Sequence, residues 1–183
     1  MNNTNGLIAE RSKTTIANAM LKVMKIDNYK EITVTQITQE ALVSRKTFYR
    51  HFHDKDDVLK YLFNSLYQEC LLSIISRGTR HYWDVVQCFF DFWEIHAETL
   101  NLMKRSNMLP QLFDESYERS FEVFSTIRST DIAEQYTVQL PYLLAYSIGG
   151  MNSMLIKWID NDMSVPSSTL ISCLREGFRS EML

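Results

Sequence analysis

Long runs of this chain repeat apolar side chains at spacings of three and four, and almost nothing interrupts them. Only 5 Gly and 3 Pro occur in 183 residues. In the longest uninterrupted stretch Val58, Leu62, Leu66, Cys70 and Ile74 recur every fourth residue, and Leu59, Phe63 and Leu71 widen the stripe. Apolar residues at that period face one side of an α-helix. Strands would need alternation and frequent turn residues, and neither competes. The chain therefore reads as all-α, with about nine helices. Its 45% hydrophobic content is enough for a real core.

The helix boundaries follow from local chemistry. Residues 1–9 are polar and read as a flexible tail, and a first helix fits 10–28 through Ile16, Met20, Val23 and Met24. Thr33 or Thr35 caps a short helix carrying Ile37 and Ala41, and Leu42-Val43 forms a turn. Ser44 caps a second short helix through about residue 51, with Phe48 and Phe52 on one face. Two short helices on a tight turn are the helix-turn-helix arrangement. Asp54 caps a helix over 55–76, with Asp56 and Asp57 at its positive end. Further helices are predicted at 81–97, 99–107, 110–129, 132–161 and 166–181. Pro110 and Pro166 suit helix starts, and Pro141 either kinks its segment or marks the true beginning. The division expected is a tail at 1–9, a head at 10–55 and a body at 56–183 joined through the 55–76 helix.

The net charge of −3 disfavours nucleic acid, but its distribution does not. Residues 1–55 hold nine Lys/Arg and five Asp/Glu, a net +4, which leaves −7 on the rest. The positive charge concentrates in Ser44-Arg45-Lys46-Thr47-Phe48-Tyr49-Arg50-His51-Phe52-His53-Asp54-Lys55. A basic helix with an apolar back can lie against phosphates while its other side grips a scaffold.

Several classes are excluded. No Gly-rich phosphate loop, HExxH or GxSxG is present, and Glu94, His96 and Glu98 face different ways at i, i+2, so the chain is not read as an enzyme. His51 and His53 point about 200° apart on a helix, which disfavours a shared metal. Cys70, Cys88 and Cys173 are scattered and odd in number, so they read as small buried hydrophobes rather than a disulfide or zinc framework. Neither a metal nor a cofactor is expected. No run reaches eighteen apolar residues, and the first ten lack a basic start and apolar core, so a cytoplasmic protein without a membrane span or signal peptide is expected.

Together, Ile32-Thr33-Val34-Thr35-Gln36-Ile37, Glu40-Ala41-Leu42-Val43-Ser44, Thr47-Phe48-Tyr49-Arg50-His51-Phe52 and Lys55-Asp56-Asp57-Val58-Leu59 closely resemble the DNA-binding domain of TetR-family transcriptional regulators. The match spans roughly residues 10–60. The run Ile148-Gly149-Gly150-Met151 through Lys157-Trp158-Ile159 is similar to the penultimate helix of a Firmicutes-type C-terminal domain. The resemblance implies a double-stranded operator as partner. Tyr49, His51 and Lys55, helped by Thr35 and Ser44, would hold phosphates. Arg45, Lys46 and Thr47 would reach base edges, and Arg50 either base or backbone. Phe48 and Phe52 would be scaffold against Ile16, Met20 and Ile37. The chain departs from the family at Leu42, where Gly is usual. Either Leu adopts a left-handed backbone at about 1 kcal/mol, or the turn shifts.

One head makes few base contacts, so a homodimer on a pseudo-palindromic operator is expected. Leu144, Ile148, Met151, Leu155 and Trp158 follow a 4, 3, 4, 3 seam, and Ile171, Leu174 and Phe178 continue one on the last helix. They are the expected dimer interface, with an intramolecular core as the alternative. Trp93, His96, Met103, Phe121 and Tyr146 are candidates to line a pocket for a small apolar or planar effector that releases a repressor. The alternative is an activator or co-activator of the same fold working through a protein partner.

Overall fold

In the computed structural model, residues 2–78, 81–118, 124 and 138–179 are described. Those residues form nine α-helices and one 3-10 turn, and no strand. The helices are α1 (Asn2–Met24), α2 (Val34–Glu40), α3 (Arg45–His51), α4 (Lys55–Ser76), α5 (Tyr82–Ile95), α6 (Ala97–Arg105), α7 (Leu109–Glu118), α8 (Leu140–Asp160) and α9 (Ser167–Arg179). None is long and apolar enough to cross a membrane among the described residues. The all-α reading holds. The 1–9 segment is helical from Asn2, and α1 stops at Met24 rather than 28. Polar residues there give periodicity nothing to detect, and the low helix propensity of Asn2, Asn3, Thr4, Asn5 and Gly6 argues against a helix that nonetheless forms.

The chain divides into two compact units. One comprises residues through Leu66 with Leu102–Met108, and the other Tyr67–Asn101 with the rest from Leu109. The expected boundary at 55 falls inside the first unit, because α4 contributes its first three turns there.

In the first unit α1 packs on α2 and α3, and α2 on α3. Ile16, Met20, Ile37, Phe48 and Val58 are fully buried. The caps fall where local chemistry puts them. Thr33 and Gln36 form a reciprocal capping box at α2, and Gln36 continues to Asp27 at 2.7 Å. Ser44 Oγ accepts from the Thr47 N–H at 3.0 Å, and Asp54 accepts from Asp57 N–H at 2.9 Å. Leu42 lies between α2 and α3 with φ +53° and is 92% exposed. The turn has not shifted: Leu adopts the left-handed backbone itself.

The second unit pairs α5 with α9 and α8 with α7. Phe90 meets Trp158 edge-on at 5.7 Å, and the Trp158 indole donates to Val165 O at 2.9 Å. Ser167, buried at the start of α9, bonds Asp91 at 2.7 Å and Glu94 at 2.9 Å, and its N–H donates to Glu94 at 3.0 Å. Arg77 reaches Asp91 at 2.8 Å. Burial works to raise the Asp91 pKa, but hydrogen bonds from Gln87, Ser167 and Arg77 outweigh it and hold the carboxyl below its usual value. Glu94 is thus a tether for α9. Burial pushes the Cys70 thiol up to about 12 and raises that of buried Cys88, while Cys173 is exposed, contrary to expectation.

Part of the expected dimer seam is taken up within the chain. Leu155, Trp158 and Ile171 are buried within the chain, and Leu144, Ile148, Met151 and Leu174 are half-buried. Phe178 is partly exposed but stacks on Trp83 at 5.7 Å. The C-terminal part of the α8 seam, Leu155 and Trp158, faces inward, where α7 and Phe90 of α5 supply partners that periodicity alone left unnamed. Pro141 starts α8 instead of kinking it.

Leu42→Gly should stabilise the first unit by roughly 0.5–1 kcal/mol. It removes a left-handed L-residue penalty of about 1–2 kcal/mol, while Gly returns part of that as unfolded-chain entropy. Slower amide hydrogen exchange at Ile37 and Phe48 would show it, and unchanged or faster exchange would refute it.

Candidate nucleic-acid interface

α3 is a short helix with two chemically opposed sides. Phe48 carries it inward, with its ring 5.8 Å from that of buried Phe52. Arg45, Lys46, Tyr49 and Arg50 are exposed. Arg45 lies 5.9 Å over the Tyr49 ring, a cation–π contact that holds both side chains along the outer face. Among the described residues no carboxylate pairs with Arg45, Lys46 or Arg50. Three cations with no anionic partner on one exposed helix create a field that attracts polyanions.

The other candidates occupy distinct positions. Ser44 and Thr47 are joined at the helix start, with hydroxyls 3.0 Å apart, and Thr47 is half-buried. Thr35 is exposed in the first turn of α2. His51 is half-buried at the far end of α3, with its Nε2 3.4 Å from Arg50. Burial first, then the charges of Arg50 and Lys13, lower the His51 pKa, so its imidazole is neutral at pH 7.

Lys55 does not join this surface. Its ammonium donates to three carbonyls, Tyr29 O at 2.7 Å and Lys30 O and Ile32 O at 3.0 Å each. An ammonium has three donors, so all are engaged. It also lies 4.7 Å over the Tyr29 ring. Tyr29 in turn donates to Asp56, and burial, reinforced by that bond and by nearby carboxylates, raises the phenol pKa. Lys55 is therefore a clamp between the 3-10 turn (Tyr29–Glu31) and α4, not an outward phosphate ligand. The sequence showed a Lys at a family position but not the carbonyls awaiting it.

Lys13 was missed, because it lies on α1 far along the chain. Its charge acts on His51, and it sits 3.7 Å from Glu10 and 5.8 Å over the Tyr61 ring.

Four of the five pocket candidates lie among the described residues. Trp93 is buried beside Phe89 and Phe92. His96 is stacked on Phe92 at 4.3 Å with its Nε2 3.3 Å from Glu69. Met103 is fully buried but belongs to the first unit. Tyr146 is 66% exposed on α8, and Phe121 lies outside the described residues.

Comparison with known proteins agrees with this geometry. Residues 16–62 match the family model of bacterial regulatory proteins, tetR family. Over 56 residues the chain is 32% identical to the HTH-type dhaKLM operon transcriptional activator DhaS of Lactococcus lactis subsp. lactis (strain IL1403). That segment is 31% of this chain and spans 30% of the relative's length. Two solved structures share the fold at 18% identity. A TetR transcriptional regulator from Streptococcus agalactiae 2603V superposes with a TM-score of 0.61, covering 94% of this chain and 96% of that one. The fatty acid degradation regulator FadR from Bacillus halodurans gives 0.55, with 93% and 95% covered. At that identity the likeness is one of fold. The matched segment encloses α2, α3 and the caps that frame them, so over residues 16–62 the chain is similar to the tetR family of bacterial regulatory proteins.

Proposed function

We propose that this protein is a cytoplasmic, dimeric transcriptional regulator that binds a pseudo-palindromic operator through α3. The observation that carries this is the set of cations on α3, exposed and unpaired with carboxylates, on a helix anchored by fully buried Phe48. Arg45, Lys46 and Thr47 read base edges in the major groove. Tyr49, Arg50, His51, Ser44 and Thr35 set register on phosphates. Lys55 supports them from beneath. Repression follows if the bound dimer occludes the promoter, and release requires an effector that binds one head spacing better than another. Activation is favoured by one observation, that DhaS is named an activator.

The dimer uses the outer side of α8. Tyr142 and Tyr146 are 76% and 66% exposed, Leu143 and Ile156 also face outward, and Gly149 and Gly150 open onto free space. Two exposed mid-helix glycines cost roughly 1 kcal/mol each against Ala and touch nothing among the described residues. Close approach of a second α8 supports their presence, and apolar exposure beside them favours burial.

Gel shift on the DNA upstream of its own gene tests the reading. With about four phosphates neutralised per half-site, log affinity should fall against log salt with a slope near −7, and Arg50→Ala should reduce that slope by roughly 2 per dimer. Salt-independent retention would contradict it.

His51 adds a pH dependence with a defined sign. Its pKa is low in the free protein. A phosphate beside it raises that value, so complex formation takes up a proton. Affinity should therefore rise as pH falls from 8 to 6, and His51→Gln should flatten the profile relative to the parent.

For the dimer, Gly150→Glu should leave helicity unchanged by circular dichroism but halve the mass seen by light scattering. A parental dimer with that variant would place the interface elsewhere.

A further inference from the structure

Tyr61, on α4 within the first unit, gathers three polar residues of α1. Its hydroxyl donates to Glu10 Oε1 at 2.7 Å and lies 3.0 Å from the Thr14 hydroxyl. The Lys13 ammonium stands 5.8 Å over its ring and 3.7 Å from Glu10 Oε2. The same ring meets that of Phe52 edge-on at 5.7 Å, and Phe52 follows His51 directly at the end of α3. One aromatic ring thus joins a lysine of α1 to the far end of the cationic helix. The charges agree with that placement. After burial, Arg50 and Lys13 lower the His51 pKa, and Glu10 opposes them. Lys13, Arg50 and His51 therefore converge where α1 meets α3, and Glu10 is the carboxylate they share.

Resting on the operator reading above, we propose that Lys13 is a further phosphate ligand, seated beside Arg50 and His51, and that Glu10 occupies its ammonium in the free protein. The Lys13 side chain is 35% exposed and that of Glu10 59%, so a DNA phosphate reaches the ammonium without backbone movement. An ion pair so exposed holds its partners weakly. An ammonium is a point charge on a flexible stem, so it can turn from Glu10 to a phosphate while staying over the Tyr61 ring. A phosphate has the further advantage of releasing a condensed counterion, which Glu10 does not. Lys55 makes the contrast: its three donors are spent on backbone carbonyls, and none is left for DNA. The cation that Lys55 withholds is supplied from α1. Glu10 keeps its bond from Tyr61 when DNA arrives, so its charge stays near the phosphate and weakens binding.

Gel shifts on the DNA upstream of its own gene, run against salt, test the assignment with Lys13→Gln, Glu10→Gln and Lys22→Gln. Lys22 is an exposed α1 lysine paired with Glu40 at 3.0 Å, and it controls for the loss of one positive charge. Lys13→Gln should reduce the salt slope by roughly 2 per dimer, and Lys22→Gln should leave it at the parental value. Glu10→Gln should tighten binding about three- to fivefold at fixed salt. A second readout needs no DNA. In the free protein, Lys13→Gln should raise the His51 pKa followed by the imidazole proton signals, assigned with His51→Gln, and Lys22→Gln should not.

An unchanged slope in Lys13→Gln, or an equal loss in Lys22→Gln, would overturn Lys13 as a ligand. A Glu10→Gln variant that binds no tighter than the parent would overturn the competition. A His51 titration that ignores Lys13→Gln would overturn the shared seat. All three substituted side chains are at least partly exposed, and unchanged circular dichroism confirms that each variant folds. The two readings separate cleanly. Parental protein that ignores the DNA removes the operator reading and this ligand with it. A parental slope near −7 that Lys13→Gln does not alter removes this ligand alone.

Discussion

Phe48 has no exposed surface, and that burial sets where α3 lies. Full burial of a Phe stabilises by roughly 1.5–3 kcal/mol over leaving it in water. Ile16, Met20 and Ile37, also fully buried, complete the small core that receives it. With seven residues, α3 is too short to persist alone, since helix nucleation is unfavourable and few bonds follow it. Its stability is therefore tertiary. Once Phe48 is inward, the helical period turns Arg45, Lys46, Tyr49 and Arg50 outward together. The apolar anchor and the cationic face are consequences of one register.

That register is reinforced from two directions. Ser44 satisfies the Thr47 N–H at the front of α3, and Lys55 satisfies three carbonyls around the 3-10 turn. A half-buried ammonium is tolerable only when its donors are met, and here each has an acceptor. The Tyr29 hydroxyl, bonded to Asp56, closes the arrangement on α4. Lys55 thus contributes to recognition by fixing the platform. Its charge looked like a phosphate ligand because a basic residue at a family position resembles one until its neighbours are known.

The head was legible because its determinants are local. Thr33, Ser44 and Asp54 each cap within three residues of their own position, and their meaning does not depend on distant chain. Even the unusual Leu42 left only two options, and the structure takes the strained one at φ +53°. Long-range pairings were not legible. Lys13 acting on His51, Glu94 capping α9 through Ser167, and Lys55 on the carbonyls of residues 29, 30 and 32 all join separated segments. Periodicity names a face but never its partner. The pocket candidates rested on residue type, which likewise carries no distance information.

α8 shows the limit most plainly. Leu140, Leu155, Trp158 and Ile159 are buried, while Tyr142, Leu143, Tyr146 and Ile156 are apolar and exposed. A helix apolar on more than one side gives no preferred face to a pattern reading, because amphipathicity is the contrast that such a reading detects. The inner side is chosen by what the chain can offer it: Phe90 to receive Trp158, and Val165 O to accept its indole. The outer side has no such offer among the described residues, and its glycines leave backbone bare rather than filling space. Contiguous apolar surface of that kind favours burial against a partner. A surface without side chains at its centre suits a second helix that approaches along the same line, and a symmetry-related α8 meets that condition with its own two glycines.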